Sequence, residues 1–94
     1  MTAPDSEITT RVEIINKRGL HARAAAKFVK CVEEFDADVQ VTKQENTVSG
    51  RSIMGLMMLA AAKGTAIGVV ASGPDANAAI AALTTLVDQL FYEE

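Results

Sequence analysis

The stretch ITTRVEIINKRGLHARAAAKFVKCVEEF, residues 8–35, changes its hydrophobic period once, and that change decides the fold. From Ile8 to Ile15, the residues Ile8, Thr10, Val12 and Ile14 alternate with Thr9, Arg11, Glu13 and Ile15, the period of a half-buried strand. Asn16-Lys17-Arg18-Gly19 breaks the alternation. From Ala22 to Phe35 the period is that of an amphipathic helix. Ala25, Phe28, Val29, Val32 and Phe35 form its apolar stripe, and Lys27, Lys30, Glu33 and Glu34 its wet face. Cys31 falls at the border of the stripe and reads as a buried, inert thiol.

Further along, Asp38 to Lys43 alternates again, and Thr47 to Arg51 returns as its hairpin partner across Gln44-Glu45-Asn46, with Asn46 expected in the left-handed conformation. Ser52 is placed to cap a short apolar helix beginning at Ile53, which Ala60 to Lys63 would extend until Gly64 ends it. Ala66 to Ser72 gives a fourth strand, with Ile67, Val69 and Ala71 on one face. After the Gly73-Pro74-Asp75 turn, a last helix carries Ala79, Leu83, Leu86, Val87 and Leu90 at core spacing. The order βαββαβα predicts an α+β open-faced sandwich, a mainly antiparallel sheet with helices packed on one face.

At 94 residues the chain fits a single domain, 1–94, able to bury a core without disulfides or metals. The start, residues 1–7, is polar and acidic, unlike a secretory signal; it is expected to be flexible and the protein cytoplasmic. One cysteine and one histidine do not make a disulfide or a zinc site. A net charge of −3 and four aromatic residues (Phe28, Phe35, Phe91, Tyr92) argue against a nucleic-acid binder. No apolar run is long enough to span a bilayer.

The one histidine, His21, falls where the helix begins. A neutral imidazole nitrogen is a nucleophile, a helix start offers free N–H donors to an anion, and the Arg23 guanidinium two residues on can pair with phosphate oxygens. A lone histidine is more often structural, a polar residue at a helix end, and the residues alone leave both readings open. Arg23 weighs toward the anion, because a cation in the first turn opposes the macrodipole by about 0.3–1 kcal/mol. Arg18 and Lys17 add to the positive field. There is no phosphate-binding glycine loop with its lysine and no Gly-x-Ser-x-Gly elbow, so an exposed nucleophile without a pocket suits a carrier better than a hydrolase. A non-catalytic regulator using the same face is the second reading, and a ferredoxin-like metal or nucleic-acid domain a remote third.

Gly19-Leu20-His21-Ala22-Arg23 with Ala24 to Val29, and Gly50-Arg51-Ser52-Ile53-Met54-Gly55-Leu56, resemble the two signatures of the HPr phosphocarriers, in order and at the right separation. Val12-Glu13-Ile14, Phe35 to Val39 and Ala62-Lys63-Gly64 are similar to the nitrogen-related NPr branch. The resemblance implies four antiparallel strands covered on one face by three helices. It also implies that His21 accepts a phosphoryl group on Nδ1 from enzyme I, itself charged by phosphoenolpyruvate, and passes it to an enzyme IIA protein. Arg23 would then steady the phosphoryl group, with the backbone N–H groups of Ala22 and Arg23 facing its oxygens. Ser52 matches the serine that an HPr kinase/phosphorylase modifies in some members. No cofactor, metal, nucleic acid or membrane is implied, and a monomer is expected. One departure stands at Ala24, where the family commonly carries proline; alanine keeps the helix but fixes the backbone less.

Ser52 also has a plain structural role as an N-cap. Ile53, Met54, Leu56, Met57, Met58 and Leu59 cannot all face one core from so short a helix. The expectation is that Met54, Met57 and Ile53 flank His21 and, with Leu20 and Arg18, form an adaptable docking surface.

Overall fold

The computed structural model describes residues 7–92; the expected flexible start therefore lies outside the described residues except for Glu7. Four strands, β1 (Ile8–Glu13), β2 (Asp38–Lys43), β3 (Asn46–Ser49) and β4 (Ala66–Ser72), form one antiparallel sheet in the order β1-β4-β2-β3. Three helices, α1 (Ala22–Val32), α2 (Ile53–Met58) and α3 (Ala76–Asp88), complete the order βαββαβα. The open-faced sandwich expected from the pattern is the fold.

The alternation along the strands sets the layers. Register pairs Val12 with Ile67 and Val41 with Val69, so the inward residues of β1, β4 and β2 line up under the helices. Val39, Val41, Ile67, Val69 and Ala71 are buried there with Phe28, Val32, Leu56, Leu83 and Val87 from the helices. The other sheet face shows Thr9, Arg11, Glu13 and Gln40 to solvent. α3 packs on β1 and β4, and α1 lies between α3 and α2.

The elements differ from the sequence expectations at their ends. β1 stops at Glu13, although the Ile14 backbone stays paired to Thr65 and Gly64 and its side chain is fully buried. α1 stops at Val32, with Phe35 half-buried against the core from the loop beyond. In the hairpin, Lys43 pairs with Asn46, which leaves only Gln44 and Glu45 in the turn; Gln44 takes the positive φ, 56°, in place of Asn46. α2 does not run on through Ala60–Lys63. Ala60 turns left-handed (φ 54°), and the Lys43 Nζ reaches from β2 to the carbonyls of Leu59 and Ala60 at 2.9 and 3.1 Å, capping the helix end. α3 ends at Asp88, and Leu90, Phe91 and Tyr92 all turn with positive φ. That reversal puts Phe91 into the core, fully buried, and leaves Leu90 half-buried, against the expectation from helical spacing. The Lys27 Nζ donates to the Phe91 carbonyl and ties the reversal to α1.

Candidate functional site

The loop from β1 to α1 is a pinned turn. Asn16, a polar residue with no solvent exposure, donates from Nδ2 to the Gly19 carbonyl at 2.8 Å, and its own carbonyl accepts from the Gly19 N–H at 3.2 Å. Gly19 adopts φ +64°, and the Leu20 N–H donates to the Ala61 carbonyl at 2.9 Å. The turn is thereby fastened to the segment that follows α2, and His21 is delivered to the start of α1.

His21 is the N-cap residue of α1, with extended backbone (φ −76°, ψ −178°), and its carbonyl accepts the first helical bond from the Ala25 N–H at 2.8 Å. Its imidazole makes no capping bond to the helix. Helix geometry gives the N–H groups of Ala22, Arg23 and Ala24 no intrahelical acceptor, so they present partial positive charge at the helix start. No acidic side chain occupies the first turn. Ala22 and Arg23 are exposed and His21 is half-exposed, an arrangement open to an incoming anion. Ala24 is fully buried against the core.

A shallow depression of about 220 Å3 brings together Arg18, Leu20, His21 and Ala60 to Ala62. Arg18 thus stands beside His21, whereas Arg23 lies outside this lining. Leu20 requires a correction: at 5% exposure its side chain belongs to the core, drawn in by the bond to Ala61, and offers a partner almost no surface. A roomier groove of about 630 Å3 lies elsewhere, between α1 and α3, and includes Lys27, Lys30, Cys31 and Tyr92. Cys31 is half-buried rather than buried; burial first, and then the Glu34 carboxylate, push its thiol pKa up, which suppresses the nucleophilic thiolate.

Ser52 is the N-cap of α2, its Oγ accepting from the Gly55 N–H at 2.9 Å, as its position before the apolar run suggested. α2 buries Leu56 and leaves Ile53, Met54, Met57 and Met58 exposed at 40, 67, 39 and 79%. Met58, the most exposed of them, was not among the expected contacts; six residues make under two turns, so its neighbour Met57 cannot represent it. Asn16 and the Ala60 to Ala62 run were missed too. The triple alanine is their one sequence signal, since small side chains let the backbone approach Gly19.

The open-faced sandwich is the fold of small phosphocarriers of solved structure. The family model described as the PTS HPr component phosphorylation site matches residues 8–89. The phosphocarrier protein HPr of Neisseria meningitidis is 54% identical over 82 residues, covering 87% of this chain and 92% of that one. The phosphocarrier protein NPr of Shewanella violacea is 41% identical over 88 residues, 94% and 97% of the two chains. A crystal structure of HPr from Thermoanaerobacter tengcongensis superimposes with a TM-score of 0.88 at 40% identity, covering 93% of this chain and 98% of that one. The chain belongs to the HPr family of phosphocarriers of the phosphotransferase system. Relatives named for both branches are present, and the HPr of these two is the more similar.

Proposed function

We propose that His21 is the phosphoryl acceptor, taking the group from enzyme I charged by phosphoenolpyruvate and giving it to an enzyme IIA protein. The observation that carries this reading is the placement of His21 at the N-cap of α1, beside a helix start free of acidic residues. In the forward step the Nδ1 lone pair attacks phosphorus, a P–N bond forms at Nδ1, and the bond from phosphorus to the donor breaks; Nε2 keeps its proton throughout. The N–H groups of Ala22 and Arg23 receive phosphoryl oxygens, and the Arg23 guanidinium, with Arg18 nearby, screens their charge. The partner supplies the closed pocket, so this chain acts as a covalent intermediate rather than an enzyme.

The exposed side chains of Ile53, Met54 and Met57, joined by Met58 and Arg18, serve as the docking face, since flexible thioethers fit partners of different shape. A kinase phosphorylating Ser52 would put a dianion at the start of α2 and repel acidic partner surfaces. The chain works as a cytoplasmic monomer. Incubation with enzyme I and phosphoenolpyruvate, followed by intact-mass measurement, tests the core claim. The expected result is one phosphoryl adduct that is lost in mild acid, discharged by enzyme IIA and absent from His21→Ala. No adduct with a cognate enzyme I overturns it.

A further inference from the structure

Three of the four methionines in the chain, Met54, Met57 and Met58, stand within five residues of one another on α2, and all three are exposed, at 67, 39 and 79%. We propose that they form an oxidation site, at which peroxide-class oxidants convert the thioethers to sulfoxides and switch off docking by this helix; the consequence rests on the reading of α2 as the docking face. In each step a sulfur lone pair attacks one oxygen of hydrogen peroxide, the O–O bond breaks and an S–O bond forms; the transferred oxygen gives its proton to the departing hydroxide, which leaves as water. Sulfur is oxidised by two electrons and peroxide reduced by two. A methionine sulfoxide reductase reverses the change with a dithiol as the electron source.

One feature leaves oxidation to α2, and another keeps its effect local. The thiol that would otherwise compete, Cys31, is half-buried on α1, where its protonated form reacts slowly. The helix itself is anchored by groups that oxidation does not touch: Leu56 and Leu59 in the core, the Ser52 cap at its start and Lys43 on the two carbonyls just past its end. Sulfoxides on the outer face would therefore change its polarity without unfolding it. A flexible apolar contact becomes polar and chiral, which is a poor fit to an apolar partner surface.

The test uses the full chain, hydrogen peroxide, and phosphoryl transfer from enzyme I as readout, beside two triple variants: Met→Leu at 54, 57 and 58, apolar but not oxidisable, and Met→Gln, a polar mimic of the sulfoxide. Peptide mapping is expected to find one oxygen on each methionine. KM for transfer should rise about tenfold, the equivalent of about 1.4 kcal/mol of lost contact. Melting should stay unchanged, and sulfoxide reductase should restore KM. The leucine variant sets its own baseline KM, and peroxide should leave that KM unchanged. Two outcomes overturn the proposal alone: methionines that resist peroxide while the glutamine variant docks poorly, or a KM loss accounted for by unfolding. A glutamine variant that docks like the unmodified chain overturns the docking reading, and the proposal with it.

Discussion

A Cβ on Gly19 would lie 2.5 Å from the Ala61 carbonyl oxygen, so the loop that carries His21 and the segment that leaves α2 touch backbone to backbone. Gly19 also holds φ +64°, where a side chain costs about 1–2 kcal/mol before any clash. Gly19→Ala is therefore expected to lower stability by more than about 2 kcal/mol, a fall in melting temperature of roughly 10 °C or more for a chain of this size. Because the displaced atoms include the acceptor of the Leu20 N–H, phosphoryl transfer should fall further than the folded fraction does. Thermal denaturation and transfer rates at a temperature where the variant stays folded check both parts. Native-like stability would remove this contact from the account.

Lys43 couples the sheet to the far end of α2 through two carbonyls. Lys43→Met keeps the aliphatic stem and deletes the charge and both bonds, at an expected cost of about 1 kcal/mol. The loss should be local. Amide exchange ought to quicken at Met57 to Ala61 and stay slow in β4, whereas a uniform change across the fold would contradict the capping role.

The raised pKa of Cys31 carries a pH dependence whose sign follows from linkage. The folded chain holds the thiol proton to higher pH than the unfolded chain does, so above the ordinary thiol value of 9.0 the unfolded state binds fewer protons. Stability from this group is present below that value and is lost as pH rises toward the folded pKa. The melting temperature of the wild-type chain minus that of Cys31→Ala should be flat at neutral pH and fall in the alkaline range. A difference that stays constant across that range would show the thiol titrating equally in both states.

The period change at residues 16–19 made the layers legible, because burial of one strand face and one helix stripe is written directly in the spacing of Val12, Ile14, Phe28 and Val32. The ends of elements were not legible where a distant group decides them. α2 stops at Met58 because Lys43 and Leu20 take the next carbonyls, and α3 gives way to a left-handed reversal that buries Phe91 beneath Lys27. The same holds for the site. His21 and Ser52 showed themselves through local capping positions, but the burial of Leu20 depends on Ala61, forty-one residues along the chain. Asn16 read as part of a polar break, while its side chain is folded under the loop and fixes Gly19.

Ser52 separates a structural from an electrostatic effect. Its Oγ accepts from the Gly55 N–H, so Ser52→Ala removes the cap at a cost of about 1 kcal/mol. Ser52→Asp retains a capping oxygen and adds a negative charge at a helix start, where it is favourable, so stability should match the serine form within about 0.5 kcal/mol. Transfer should follow the opposite order. The alanine variant, still folded at working temperature, is expected to dock normally, while the aspartate variant should bind an acidic partner surface more weakly at low ionic strength and recover as salt shortens the Debye length. Melting curves beside transfer rates at two salt concentrations distinguish the cases. If the aspartate variant transfers as well as serine at low salt, charge at this cap does not govern docking.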